Sequence, residues 1–88
     1  MLLERKNAVI YGAAGAIGRA VARAFAREGA RLFLAGRTLA TVKTVAEEIA
    51  RARGAAETVQ VDAHDERAVE RHLDAVDREA GGIDIPAR

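Results

Sequence analysis

The 88-residue sequence predicts an α/β fold, a doubly wound parallel sheet in the order β-α-β-α-β-α-β. Three observations support this. Short apolar runs alternate with segments whose apolar residues recur every three or four positions. Glycine or a polar turn residue follows each run, and no linker or low-complexity tract interrupts the chain. Strand–helix–strand repeats imply right-handed crossovers between parallel strands, with helices packed on the sheet.

The first strand is predicted at residues 7–11, an apolar run that ends at Gly12. Its short length and the flanking glycine favour a buried strand over a helix. A helix follows, and we expect it to end where Gly29 allows a left-handed turn. Its apolar positions at helical spacing are Ile17, Val21, Ala24 and Phe25.

The second strand is predicted at residues 31–35, closed by Gly36. Thr38 is placed to cap the next helix through its hydroxyl, and Gly54 is expected to terminate that helix. The apolar positions of this helix are Leu39, Val42, Ala46 and Ile49.

The last third of the chain predicts a third strand, a third helix and the start of a fourth strand. Residues 57–61 alternate in polarity and are rich in β-branched side chains, which favours a strand. Asp65 can cap the third helix, and the glycine pair 81–82 stops it. The fourth strand is predicted to begin at residues 83–85, although Pro86 argues against a normal continuation because proline lacks a ladder donor.

Composition and charge exclude several classes of function. Cysteine and serine are both absent, which excludes disulfides, thiolate metal sites and serine or cysteine nucleophiles. A net charge of +1 gives no reason to invoke nucleic acid or an anionic membrane. The longest uncharged stretch, residues 7–18, is too short to span a bilayer. With no secretory signal visible, a cytoplasmic protein is expected.

The strongest functional motif is the glycine loop between the first strand and the first helix. Gly12, Gly15 and Gly18 form G-x-x-G-x-x-G. Glycine permits a tight turn, close approach of the backbone to a pyrophosphate and close helix–strand packing, and the helix N-terminus attracts the phosphates. We expect Ala16 and Ile17 to contribute backbone to this site, and the small side chains of Ala13, Ala14 and Ala16 to keep the approach open. The alternative is an alanine–glycine turn without a ligand.

These blocks and their spacing strongly resemble the short-chain dehydrogenase/reductase family. The resemblance runs from about Lys6 to Asp84 and rests on residues 8–20, 34–37, 61–62 and 82–84. It implies a Rossmann-like fold and a single partial NAD(P)-binding domain over residues 1–88. Two positions depart from the family pattern: Tyr11 stands where threonine is usual, and Ala16 where many members have glycine. The first departure removes a hydroxyl that helps to hold the loop.

The end of the second predicted strand bears on the choice of cofactor. An acidic residue there would accept hydrogen bonds from the adenosine ribose and repel a 2′-phosphate. This chain instead has Gly36, which leaves room, and Arg37, whose guanidinium suits bidentate phosphate contact. Thr38 can add a hydroxyl to the same phosphate. The resemblance therefore implies NADP as the cofactor, the alternative being that Arg37 is a solvated arginine without a ligand.

Asp62 follows the third predicted strand. The resemblance implies that its carboxylate accepts from the adenine amino group, with the N–H of Ala63 nearby; the alternative is an ordinary turn residue. Three further polar residues follow it, His64, Asp65 and Glu66. We interpret this cluster as a turn and a helix cap with an exposed histidine, and not as a metal site.

Two other features are interpreted as having no role in a site. His72 in the third helix is expected to be peripheral. Arg19, Arg23 and Arg27 form a basic row at four-residue spacing, and with few aromatic residues nearby this predicts a solvated face and not a nucleic-acid site.

The catalytic groups of the family cannot be assigned to this chain. The resemblance implies a catalytic tyrosine, a lysine four residues later and a serine. Tyr11 is the only tyrosine, position 15 is glycine, and serine is absent. The first hypothesis is therefore the cofactor-binding N-terminal portion of an NADP-dependent short-chain oxidoreductase, truncated before its catalytic part and inactive alone.

Two alternatives remain open from the sequence. The chain is a free-standing, non-enzymatic nucleotide-binding or assembly module, in which a partner or a second copy covers the exposed edge of the fourth strand and an uncovered sheet face. Alternatively, it is part of a different dinucleotide-binding oxidoreductase, such as an epimerase-like relative with the same glycine spacing.

Overall fold

A computed structural model of the chain describes residues 2–13 and 15–87; Ala14 of the predicted glycine loop lies outside the described residues. The predicted order of elements is confirmed. The elements are β1 (Asn7–Tyr11), α1 (Ala16–Arg27), β2 (Arg31–Gly36), α2 (Leu39–Arg51), β3 (Ala55–Gln60), α3 (Glu66–Ala80) and β4 (Ile85–Ala87).

The four strands form one parallel sheet in the order β3-β2-β1-β4. The chain moves outward from β1 to β2 and β3, and then crosses back to add β4 on the other side of β1. This reversal makes the carboxyl end of β1 a topological switch point, where open α/β sheets bind their ligands. The fold is thus the Rossmann-like doubly wound arrangement predicted from the sequence.

Alternate residues of β1 and β2 enter two separate cores. One face packs against α1 and α2, and the other packs against α3. The first core contains Ala8, Ile10, Leu32, Leu34, Ala22, Val42, Val45 and Ile49, and the second contains Val9, Tyr11, Phe33, Ala35, Val61, Val69 and Val76. Helices therefore cover both faces of β1 and β2. The third helix is long and apolar enough on one side to cover the second face.

Helix ends follow the predictions in part. Gly29 and Gly81 take left-handed backbone after α1 and at the end of α3, as expected. Asp65 caps α3 by accepting from the N–H of Ala68 at 3.1 Å. After α2, however, the left-handed residue is Arg53 and not Gly54. A Cβ on Gly54 would lie 2.6 Å from Cγ2 of Ile49, so that glycine is required by close packing.

Two strand predictions need correction at their ends. The third strand begins at Ala55 and ends at Gln60, earlier than predicted, although Val61 still extends its buried face. The fourth strand begins at Ile85 and includes Pro86, which pairs with Val9 in register. Among the described strands, β4 lies at the end of the sheet order, a position at which a strand tolerates proline.

The amino ends of β1 and β4 are tied together before β4 begins. The side chain of Asn7 donates to the carbonyl oxygens of Ala80 and Gly82, at 3.1 and 2.8 Å. Its backbone N–H donates to the carboxylate of Asp84 at 2.8 Å, and the N–H of Asp84 donates back to the Asn7 carbonyl. These bonds hold residues 83 and 84 as a connection, so the strand begins two residues later than predicted.

Candidate functional site

The glycine loop turns sharply off the carboxyl end of β1. Gly12 has a φ of +68°, a left-handed backbone conformation that residues with a Cβ rarely adopt. The N–H of Gly15 donates to the Gly12 carbonyl at 3.1 Å, which closes the turn. The N–H of Ala13 donates to the carbonyl of Ala35 at 3.3 Å and ties the loop to β2. A Cβ built on Gly12 would meet no atom within 4 Å, so the space in front of this residue is open.

The third glycine brings α1 against the loop. A Cβ on Gly18 would lie 2.2 Å from the carbonyl oxygen of Gly12, 2.9 Å from its carbonyl carbon and 3.0 Å from Cα of Ala13. All three are backbone atoms, which cannot turn aside as a flexible side chain would. Gly15 is less constrained, since a Cβ there would lie 3.5 Å from the Gly12 oxygen. Gly18 is therefore the position where helix and loop require the absence of a side chain.

A pocket of about 490 Å³ lies over this loop. Its walls are formed by Ile10, Tyr11, Gly12, Gly15, Ala16, Ile17, Gly18 and Val21. Ile17, in the first turn of α1, lies beside this pocket and is 83% exposed. The first turn of α1 carries no acidic residue, so its positive dipole end is not neutralised by a carboxylate. The loop thus offers an open, partly apolar concavity with backbone N–H groups at one end.

Arg37 and Thr38 form the connection from β2 to α2. Both side chains are exposed, and no carboxylate forms an ion pair with the Arg37 guanidinium within residues 2–13 and 15–87. Thr38 is the N-cap of α2 by position, but its hydroxyl makes no cap bond, so that part of the prediction was wrong. Gly36 was expected to leave room beside the phosphate. The structure shows that the absence of a Cβ on Gly36 instead makes room for Val42 of α2. A Cβ there would lie 2.5 Å from Cγ2 of that valine.

The Asp62 turn begins at the carboxyl end of β3. The Asp62 carboxylate accepts from the N–H of His64 at 2.9 Å, and its carbonyl accepts from the N–H of Asp65 at 3.0 Å. Ala63 and His64 are exposed. These bonds match the interpretation of the cluster as a turn followed by a cap. In the described ranges, no set of three histidine, cysteine or acidic side chains is arranged to hold a metal ion.

The parallel sheet brings all the predicted site residues to the side where its strands have their carboxyl ends. The register pairs Tyr11 with Ala35 and Ala35 with Val59, so β1, β2 and β3 end side by side. The glycine loop, the Arg37–Thr38 connection and the Asp62 turn follow those three strand ends directly. Sequence reasoning placed each of these segments after a strand, and the sheet order makes them neighbours.

Sequence reasoning missed the contact between Tyr11 and His72. The Tyr11 hydroxyl and Nδ1 of His72 lie 2.8 Å apart, and the hydroxyl also donates to the Val69 carbonyl at 3.4 Å. The Tyr11 hydroxyl therefore bonds α3, behind the strand that carries the glycine loop. Burial lowers the pKa of His72, while the nearby charge of Glu79 raises it less. The spacing of His72 three residues after Val69 and four before Val76 was the signal for an inward position.

Because the pKa of folded His72 lies below its ordinary value of 6.5, we expect this residue to make stability pH-dependent. Below pH 6.5 the unfolded chain binds the proton more readily than the folded chain, so His72 lowers the free energy of unfolding as the pH falls. The His72→Gln variant should therefore lose less stability between pH 7 and pH 5 than the wild type, measured by urea unfolding. The control is His64→Gln, at the exposed histidine; a pH slope unchanged in His72→Gln would contradict the expectation.

Two arginines of the basic row on α1 pair with a residue of α2. Arg19 and Arg23 both donate to the carboxylate of Glu48 on α2, at 2.6 and 2.5 Å. The hydrogen bond from Arg23 is the largest influence on the pKa of Glu48 and lowers it, and the bond from Arg19 lowers it further. Desolvation raises this pKa, but by less than the Arg23 bond lowers it. Arg19 and Arg23 remain 38% and 55% exposed, so the face is solvated as expected, but their shared ion pair with α2 was not predicted. The sequence contained no signal for this, since the pair depends on how α1 and α2 lie side by side.

The switch-point glycine loop and the parallel order of strands are typical of Rossmann-like, dinucleotide-binding domains. A family model described as short chain dehydrogenase matches residues 6–86. The chain belongs to the short chain dehydrogenase family, as its resemblance implied.

Curated relatives and solved structures also include short-chain oxidoreductases. The chain is 42% identical over 85 residues to galactitol 2-dehydrogenase of Agrobacterium fabrum, and 39% identical over 83 residues to the oxidoreductase YxbG of Bacillus subtilis. A metagenomic short-chain oxidoreductase solved in complex with NADP superposes with a TM-score of 0.92 at 31% identity, covering 98% of this chain and 39% of that one. A short-chain type dehydrogenase/reductase of Mycobacterium marinum superposes with a TM-score of 0.88 at 39% identity, covering 96% and 34%.

The two curated matches cover 97% and 94% of this chain but 32% and 30% of the relatives. The chain thus spans about a third of their length and corresponds to the N-terminal portion of such an oxidoreductase. Across the part of the chain that the structure describes, no helix combines the length and hydrophobicity needed to cross a bilayer.

Proposed function

We propose that residues 1–88 form a partial domain that binds NADP(H) for a carbonyl or alcohol oxidoreductase. The observation that carries the proposal is the glycine loop at the switch point of the sheet, next to an exposed arginine that has no carboxylate partner in the described chain. When bound, the nicotinamide of such a cofactor supplies or accepts a hydride. This chain's residues hold and orient the adenosine and phosphate end.

The glycine loop fits a pyrophosphate sterically. Open space faces Gly12, where any Cβ would point, and Gly18 lets α1 approach the loop closely. In this proposal the backbone of Gly12, Gly15, Ala16, Ile17 and Gly18 surrounds the pyrophosphate. The N-terminal N–H groups and dipole of α1 stabilise its negative charge.

The connections after β2 and β3 fit the adenosine half. Arg37 and Thr38 are exposed side by side and supply a guanidinium and a hydroxyl to a 2′-phosphate. Asp62 accepts from the adenine amino group, with the Ala63 N–H nearby. The Asp62 carboxylate already accepts a hydrogen bond from the N–H of His64 within the turn. Its position is therefore fixed before adenine binds.

Catalysis belongs to other residues in this proposal. The chain has no serine, and its one tyrosine is only 5% exposed and bonded to α3. The residues that transfer the proton and polarise the substrate are therefore expected outside this sequence, as is the substrate pocket.

The Arg37→Ala variant tests the proposal. It should weaken NADPH binding roughly ten- to a hundredfold, because a hydrogen-bonded charge pair is worth about 1.5–3 kcal/mol, and it should leave NADH binding nearly unchanged. Calorimetric titration of the 88-residue chain with both cofactors measures this. Arg51→Ala, at the opposite end of α2, is the matched control and should change neither affinity. Equal losses for the two cofactors in Arg37→Ala would refute the assignment.

A further inference from the structure

We infer that Gln60 positions Arg37, and through it determines the preference for a 2′-phosphorylated adenosine cofactor. The inference deepens the proposed function and rests on it. Gln60 is the last residue of β3, with an exposed side chain on an edge strand. Such a residue is ordinarily solvated, but its Nε2 donates to the main-chain carbonyl of Arg37 at 2.8 Å.

The main chain around Arg37 is held at three successive carbonyl groups. The donors are the N–H of Val61 to Gly36 at 2.9 Å, the side chain of Gln60 to Arg37 at 2.8 Å, and the N–H of Val42 and hydroxyl of Thr41 to Thr38 at 3.3 and 2.8 Å. The bonds to Gly36 and Thr38 belong to the sheet and to the first turn of α2. The bond to the Arg37 carbonyl is made by the side chain of Gln60 alone, so substitution of Gln60 removes it entirely.

This arrangement separates the two parts of Arg37. Its main chain is fixed from β3, while its guanidinium extends into solvent and has no carboxylate partner in the described residues. A preorganised backbone loses less freedom when the side chain binds a ligand. Gln60 therefore reduces the ordering cost of binding a 2′-phosphate without touching that phosphate itself. A positioning role of this kind affects only ligands that carry the 2′-phosphate.

Gln60→Met removes the donor and keeps the length of the side chain. The probes are adenosine 2′,5′-bisphosphate and adenosine 5′-monophosphate, which differ only in the 2′-phosphate and need no nicotinamide pocket. We expect Gln60→Met to weaken binding of the bisphosphate roughly two- to tenfold, the range of one net hydrogen bond, and to leave the monophosphate unchanged. The control is Glu57→Met on the same strand, where the side chain pairs with Arg31 instead.

A double-mutant cycle with Arg37→Ala separates positioning from general stability. The effect of Gln60→Met should vanish in the Arg37→Ala background, because no guanidinium remains to be positioned. An equal effect in both backgrounds, or on both probes, or no effect at all, would overturn the inference. If Arg37→Ala itself leaves discrimination between the probes unchanged, the proposed role of Arg37 fails, and the inference with it. Gln60→Asn, too short to reach the carbonyl, gives a second variant should Gln60→Met not fold.

Discussion

Replacing Gly18 by alanine should lower the free energy of unfolding by about 1–3 kcal/mol, the cost of overpacking a close contact. Alanine is the better helix former by about 1 kcal/mol. The added Cβ, however, would stand 2.2 Å from the Gly12 carbonyl oxygen, so α1 or the loop must move. For a domain of this size, each kcal/mol shifts the melting temperature by roughly 4–8 °C. Because the movement separates the helix N-terminus from the loop, NADPH binding should weaken as well.

The matched control for this prediction is Gly15→Ala in the same loop. Gly15 has a φ of −74° that alanine adopts readily, and its Cβ would make an ordinary 3.5 Å contact. We expect a cost below about 1 kcal/mol, because alanine is a poorer N-cap than glycine. Thermal unfolding followed by circular dichroism compares the two variants. If Gly18→Ala had the same melting temperature as the wild type, the contact between helix and loop would not require glycine at that position.

Replacing Arg37 by aspartate should reverse the cofactor preference. The variant loses the guanidinium and places a carboxylate where it repels a 2′-phosphate and accepts hydrogen bonds from ribose hydroxyls. We expect NADPH affinity to fall more than in Arg37→Ala, by about a hundredfold or more, while NADH affinity holds or rises. Calorimetric titration with each cofactor measures both quantities.

Two comparisons make the reversal specific. Arg51→Asp makes the same change of charge at the far end of α2, about 20 Å away along the helix at 1.5 Å per residue. It should leave the ratio of the two affinities unaltered. If Arg37→Asp weakened NADH binding as much as NADPH binding, the connection after β2 would not be where the ribose lies.

The predictions that were right rest on local chemistry. The apolar run before Gly12 and the helical spacing after it depend on neighbours in the chain, so the order of elements could be predicted. The aspartate cap at Asp65 was predictable because its acceptor and donor lie three residues apart. Gly54 shows the limit of such reasoning, since its position suggested a helix stop while its contact with Ile49 explains the glycine.

The sequence by itself determined the α/β class, the glycine loop and the arginine after the second strand, because each depends on adjacent residues and their steric demands. Only the tertiary structure decided which distant groups meet. Glu48 joins two arginines of α1, His72 reaches Tyr11, and Gln60 holds the carbonyl of Arg37. These contacts join residues 23 to 61 positions apart. They depend on strand register and on how each helix lies on the sheet, and hydrophobic periodicity specifies neither.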